Sequence, residues 1–383
     1  MKIVVVGPIF PFRGGIAHSN RLLCEALLQN HDVTCVSFSR LYPRILFPGK
    51  SQKEAGLDES FQVPTEYILD SVNPLSWNAT AKRIVEKKPD WVVFHWWHTG
   101  FAPCYRQLAQ YVKKNSRAKI SVLCHNFLPH DAAHGLHRFF AKPFFKYADC
   151  LAAFSSSVET ELKKEFPKKP SGWFIEPSYD KAIARTKTIS RSLARKKLGI
   201  TDAHVLLFFG FIRHYKGLDF LLEAVAQSAK KRKVTLLVAG EFWEDKTRYE
   251  KKIGELGIEK NVRIFDDYIP SEQVPVFFAA ADALVLPYVS STNSAVLKMA
   301  FGFQTPVIAT ALAAHQDVIK DGQTGLLVKP KDSKSLANAI DLFFEKKMAE
   351  KMRNNMKKQK GLFDWTIAKE KILFNSGKSG NDL

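Results

Sequence analysis

The chain has 383 residues, 46% hydrophobic and 12% aromatic, which is the balance of a globular protein with more than one core and excludes disorder as the default. No run of about 18 apolar residues is present to cross a bilayer, and the opening Met1-Lys-Ile-Val-Val-Val-Gly-Pro is too short in apolar residues for a secretory signal, so a cytoplasmic location is expected. The net charge of +19 is concentrated: residues 101–150 hold eight Lys and Arg against two acids, 181–200 seven against none, and 346–360 seven against one. Such stretches are either solvated faces or surfaces for an anionic partner.

The first strand, Ile3–Val6, runs into Gly7-Pro-Ile-Phe-Pro-Phe-Arg-Gly-Gly15 and then a helical pattern over Ile16–Leu28. Glycines before a helix either let backbone amides reach a phosphate or simply make a turn. Further β-branched runs follow at Val33–Phe38, Trp91–Phe94, Ile120–Cys124 and Leu151–Phe154, with a helical pattern at Thr80–Lys87. That alternation predicts an open parallel α/β sheet. Five cysteines, Cys24, Cys35, Cys104, Cys124 and Cys150, are odd in number and lack paired ligand spacing, so reduced buried thiols are expected.

Six histidines fall between 95 and 137: His95, His98, His125, His130, His134 and His137. None forms an HExxH pair or a Cys/His quartet, so no metal site is expected. His125 differs because it directly follows a strand, where either recognition or proton handling competes with a structural role. The stretch Leu136–Tyr147, LHRFFAKPFFKY, mixes aromatics with cations and reads either as a surface for an anionic membrane or as a core helix with charged edges. No nucleic-acid-binding motif accompanies the charge, so no nucleic-acid partner is expected.

Between about 167 and 200, Pro167, Pro170, Gly172 and Pro177 precede the basic run, which reads as a linker. The strand series then restarts at Val205–Phe209, Val234–Ala239, Val262–Phe265, Ala283–Leu286, Val307–Ala309 and Leu326–Val328, predicting a second doubly wound domain. Open α/β sheets bind ligands at the carboxyl ends of their strands, so a site is expected in a cleft between the two. In Gly210-Phe-Ile-Arg-His-Tyr-Lys-Gly217, Arg213 offers a planar fork and Lys216 a point charge, which suit the two phosphates of a nucleoside diphosphate. Ser290-Ser-Thr-Asn-Ser294, ahead of the helical pattern Ala295–Phe303, supplies hydroxyls, an amide and helix N–H groups for an anion or for sugar hydroxyls, or else a plain N-cap.

Together these blocks resemble the GT-B fold glycosyltransferases of family 4, retaining nucleotide-sugar enzymes, over nearly the whole chain. The likeness runs through GPIFPFRGGIA (7–17), SRLYPRILFPGKSQ (39–52), CHNFLPHD (124–131), FFGFIRHYKGLD (208–219), AGEFWED (239–245), FAAADALVLPY (278–288), PVIAT (306–310), DGQTGLLV (321–328) and Trp365 in FDWTIAKEKI. It implies two Rossmann-like doubly wound domains facing across a cleft: an acceptor-side domain over 1–177, a donor-binding domain over 178–364, and a C-terminal helix over 365–383 returning to the first domain. It implies catalytic roles for His125, Arg213 and Lys216. His125 contacts the transferring sugar, while Gly14 and Gly15 join the two cations on the donor diphosphate. Glu241, Ser291, Thr292, Asn293, Ser294 and Met299 complete the donor site.

No cofactor and no metal is implied, and the partners are a nucleotide sugar and a glycan or lipid-linked acceptor, with peripheral contact to the inner face of an anionic membrane. The family commonly carries two glutamates eight residues apart, at the positions of Ser291 and Met299, an arginine at Phe211 and a histidine at Glu176. The reading from a different class is a non-catalytic relative that binds a nucleotide sugar or a partner enzyme.

Overall fold

A computed structural model describes the chain except for residues 48–49, 55–60, 128–133, 178–188, 364 and 374–383. It divides into two compact units, Met1–Glu176 with Asp364–Leu383, and Pro177–Phe363. Each is a Rossmann-like α/β domain built on a parallel sheet.

In the first unit the strands are β1 (Lys2–Val6), β2 (Asp32–Arg40), β3 (Thr65–Asp70), β4 (Trp91–Trp96), β5 (Lys119–Cys124), β6 (Cys150–Ala153) and β7 (Ser171–Trp173). They lie in the order β3-β2-β1-β4-β5-β6-β7, all neighbours parallel. The central strands read as continuous Val, Ile and Leu runs because helices cover both faces of a parallel sheet. The covering helices include α1 (Gly15–Leu28), α2 (Pro74–Glu86), α3 (Ala102–Asn115), α4 (His134–Phe145) and α5 (Ser156–Glu165). All five cysteines are buried and free, as their composition predicts. The C-terminal helix Trp365–Ile372 packs on α1, β5 and β6, where Lys369 Nζ donates to Gln29 Oε1 at 3.2 Å.

In the second unit the strands β8 (His204–Phe209), β9 (Val234–Ala239), β10 (Val262–Phe265), β11 (Ala283–Leu286), β12 (Val307–Thr310) and β13 (Gly325–Val328) lie in the order β10-β9-β8-β11-β12-β13. In both sheets the chain order reverses beside the first strand, between β1 and β4 and between β8 and β11. Such switch points open a crevice at the carboxyl ends of the strands.

Three local expectations are corrected. The predicted helix Thr80–Lys87 begins earlier, at Pro74, because Asn73 Oδ1 accepts from Leu75 N at 3.1 Å and proline is pre-set for the first turn. β3 and β7 are edge strands absent from the predicted series; β3 is half-exposed and β7 only three residues long, so neither shows a buried apolar run. The predicted linker over 167–200 holds β7 and the helix Arg191–Lys197 among its described residues; residues 178–188 lie outside them. Its basic run is anchored rather than merely solvated: Arg191 Nη1 and Arg195 Nη2 bind the buried Asp282 carboxylate at 2.8 and 2.9 Å. The other oxygen-bound partner there is the Val205 N–H, at 2.8 Å from Oδ2, so one acid ties this helix to the start of β8.

Gly217 shows how tightly the second switch point is built. Its φ is 69°, and a Cβ there would stand 2.1 Å from the Pro287 carbonyl oxygen. Gly217→Ala therefore forces both backbone strain and a collision. It should lower unfolding stability by about 1–3 kcal/mol in urea melts, whereas an unchanged midpoint would mean that the two turns are free to separate.

Candidate functional site

In the second unit, β8 stops at Phe209 and Gly210 turns the chain with φ 96°. A Cβ on Gly210 would lie 3.2 Å from Lys216 Nζ and 3.3 Å from Val296 Cγ2, so the bare backbone is what lets the lysine and the helix Ala295–Gly302 close on this turn. The following residues extend the sheet. Ile212 N donates to Glu241 O at 2.9 Å, Trp243 N to Ile212 O at 3.1 Å, and His214 N to Glu244 Oε2 at 2.7 Å. Arg213 is thereby placed at the head of a short 3-10 turn, His214–Lys216, with its guanidinium 5.5 Å from the Tyr215 ring centre and 5.8 Å from that of Trp243.

Lys216 is only 8% exposed, and its ammonium lies 5.7 Å from the centre of the Tyr288 ring. Among the described residues no carboxylate and no hydrogen-bond acceptor pairs with that ammonium. Burial, with the Arg213 charge beside it, pushes Lys216 down from 10.5 to about 7. A cation held in a dry place without a counter-ion is the state that an anionic ligand would relieve.

The neighbouring strand supplies the remaining predicted groups. After β11, Val289 N donates to Tyr215 O at 2.7 Å, which fastens the serine-rich loop to the lysine turn. Ser294 is the N-cap of the helix, its Oγ accepting from Leu297 N at 3.2 Å. Ser291 Oγ donates to Asn293 O at 3.3 Å, and Asn293 Oδ1 accepts from the buried Lys298 ammonium. Thr292 and Met299 are half-buried, and Glu241 is buried just past the end of β9. Arg213, Lys216, Glu241, Ser291, Thr292, Asn293 and Ser294 thus stand on turns or helix starts after three adjacent strands, β9, β8 and β11, with Met299 inside the helix that follows β11.

Sequence reasoning passed over several groups here. Tyr288 faces Lys216 on one side and His315 on the other, with ring centres 5.4 Å apart. Burial raises the Tyr288 hydroxyl and pushes His315 down to about 4, so both stay neutral. Phe211 stacks on Trp243 at 4.4 Å and lies 6.2 Å from Tyr268, an aromatic row where the family resemblance places an arginine.

In the first unit, Gly14 has φ 101° and is the N-cap of α1, which begins at Gly15 and has no side-chain cap. His125 directly follows β5, and its N–H donates to Trp96 O at 2.9 Å. Its Nε2 lies 3.0 Å from Nδ1 of His95, on the neighbouring β4. Burial pushes His95 down to about 3. Of the other histidines in the cluster, His98 accepts from Gly100 N at 3.0 Å, and His130 and the side chains of His134 and His137 lie outside the described residues. Among the described residues no group of three or more His, Cys, Asp or Glu is placed to hold a metal ion. Glu176 is buried, and nothing in the structure explains its replacing a histidine.

Residues 190–360, which include the lysine turn and the serine-rich loop, match the family model described as Glycosyl transferases group 1. The chain is 29% identical over 210 residues to D-inositol 3-phosphate glycosyltransferase 1 of Catenulispora acidiphila, covering 52% of this chain and 50% of that one. It therefore spans about half the length of the curated relatives it matches. Among solved structures it is similar to sucrose-phosphate synthase from Thermosynechococcus elongatus, with TM-score 0.76 and 18% identity over 98% of this chain and 99% of that one. It is equally similar to Anabaena Alr3699/HepE in complex with UDP-glucose, with TM-score 0.76 and 17% identity over the same shares. At those identities the likeness establishes the fold, two Rossmann-like domains of the GT-B class.

The unpaired ammonium has a consequence for stability. Lys216 is lowered in the folded state, so folding is penalised below pH 7, where the buried charge is full, and the penalty fades as pH rises from about 7 towards 10.5. Lys216→Met, which keeps the length and removes the charge, should raise the melting temperature at pH 6, with the gain shrinking by pH 9 in melts at both pH values. A fall in melting temperature at pH 6 would show that the ammonium is compensated.

Proposed function

We propose that the chain is a glycosyltransferase that moves a sugar from a nucleoside-diphosphate donor to a glycan or lipid-linked acceptor, with retention and without a metal. The observation that carries this reading is the buried ammonium of Lys216 beside Arg213, which has no counter-ion among the described residues, at the switch point of the second sheet. A diphosphate supplies the missing negative charge and recharges the lysine on binding. As the bond from the anomeric carbon to the phosphate oxygen breaks, its electron pair departs with the diphosphate, and oriented cations stabilise that charge most where water is scarce. The acceptor hydroxyl attacks on the face that the diphosphate leaves, its proton passes to the departing phosphate oxygen, and no protein nucleophile is required. The same reading assigns Gly14 and Gly15 to phosphate binding, His125 to the transferring sugar, and Glu241, Ser291–Ser294 and Met299 to the donor.

The bound UDP-glucose of the Anabaena protein supports a nucleotide-sugar donor, since that protein has the same fold. A lipid-linked acceptor is supported by α4, where Phe139 and Phe140 are 72% and 50% exposed. The cations Lys142 and Lys146 are exposed on the same helix and just after it. Among the described residues no helix is long and apolar enough to cross a membrane, so contact there would be peripheral. The reading as a non-catalytic binder is favoured by one observation, the hydroxyl of Ser291 and the thioether of Met299 where carboxylates are common in the family.

Thermal-shift measurements against nucleoside diphosphates and nucleotide sugars, without added metal, test the donor. A ligand at about a hundred times its Kd stabilises the native state by about 2.7 kcal/mol, and one base should do so selectively while Lys216→Ala abolishes the shift. A shift without sugar transfer to any acceptor selects the non-catalytic reading, and no shift in folded protein removes the phosphate clamp. Sedimentation with phosphatidylglycerol vesicles tests the surface: the parent should pellet, and Phe139→Ser with Phe140→Ser should not. Equal pelleting would remove α4 from the contact.

A further inference from the structure

His95 and His125 are a buried imidazole pair built by the sheet. β4 and β5 run in register with Trp96 opposite Cys124, which brings the two residues flanking that rung together. His95 Nδ1 and His125 Nε2 stand 3.0 Å apart, within hydrogen-bond distance, and which of them donates depends on the tautomers. The second nitrogen of His95, Nε2, is buried and makes no hydrogen bond among the described residues. The ring is held in place: a Cβ on Gly7 would meet His95 Cβ at 3.1 Å and Cδ2 at 3.2 Å, so the glycine after β1 leaves the space that His95 fills. On the far side the His125 ring packs against Phe154 at 4.8 Å.

Two proton arrangements are open to this pair, and they differ in what they bury. If His125 Nε2–H donates, the neutral His95 must carry its own proton on Nε2, leaving an N–H donor stranded in a dry site. If His95 Nδ1–H donates, only a lone pair is left unmatched, and buried proteins tolerate an unmet acceptor better than an orphaned N–H. We infer that His95 is a positioning residue whose Nδ1–H donates to Nε2 of His125, holding His125 neutral with its proton on Nδ1. In that form His125 gives a hydrogen bond from Nδ1 and cannot take a proton at Nε2. Resting on the proposed contact of His125 with the transferring sugar, this makes it a donor to a sugar oxygen rather than a base. The full burial of His95, which keeps it neutral, agrees with the arrangement.

The test reads the tautomer directly. Long-range proton–nitrogen NMR of the full chain with labelled histidine, free of ligand, should show His125 protonated on Nδ1 and bare on Nε2. His95→Asn places an amide N–H near the same point and should preserve that pattern and most of kcat. His95→Leu removes the donor, should let His125 adopt the other tautomer, and should lose about tenfold or more in kcat, with little change in KM for the donor. A proton on His125 Nε2 in the parent would overturn the inference, as would a leucine variant with unchanged tautomer and kcat. An asparagine variant as impaired as the leucine one also counts against it. If His125→Ala leaves turnover intact, the sugar contact fails as a reading while the tautomer measurement still decides the proton.

Discussion

The second unit is organised around one costly interaction, a lysine ammonium kept from water and from carboxylates together. Desolvation is the largest cause of its lowered basicity, and the nearby guanidinium adds to it. The backbone makes that state hard to escape. Gly217 is wedged against the Pro287 carbonyl, and the Val289 N–H is bonded to Tyr215 O, so the turn carrying Lys216 cannot swing outward without breaking from β11. Tyr288 covers the ammonium with a ring face, which softens the cost without neutralising the charge. The unit thus carries a buried charge that costs stability.

The first unit uses the same topology for a different chemistry. Its switch point lies between β1 and β4, and Gly7 after β1, His95 near the end of β4 and His125 after β5 meet beside it. Where the second unit places cations, the first places two buried imidazoles beside a glycine turn. A parallel sheet gives each position after a strand a common edge, and side-chain choice alone decides whether that edge is charged.

What could be read from the sequence follows from how local each feature is. Arg213, Lys216 and Gly217 share one strand–turn–helix segment, so their proximity is written into consecutive residues. The meeting of His95 with His125, thirty positions apart, depends on β4 pairing with β5 in a particular register, and the sequence between them carries no mark of it. The basic run before β8 was legible as charge, but its partner Asp282 lies 91 positions from Arg191 and 87 from Arg195. Edge strands fail for the opposite reason. β3 and β7 are recognised by the partner they pair with, since neither is buried enough to show an apolar run.

The aromatic row bears on how the second unit holds two cations with Phe211 at the position where the family it resembles commonly has an arginine. With Phe211 in place of arginine, the guanidinium comes from Arg213, two residues on, and two residues along an extended segment return a side chain to the same face. Phe211 in turn stacks on Trp243, and the Arg213 guanidinium lies over that same tryptophan. The displaced charge is therefore supported by an aromatic face, and planar guanidinium suits such a face better than an ammonium would. Around it, Ser291, Thr292 and Asn293 are neutral and Met299 is apolar. The positive charge on this edge of the unit is thus confined to Arg213 and Lys216, and the loop beside it offers hydroxyl and amide groups, which engage a neighbour through hydrogen-bonding pattern and shape rather than through charge.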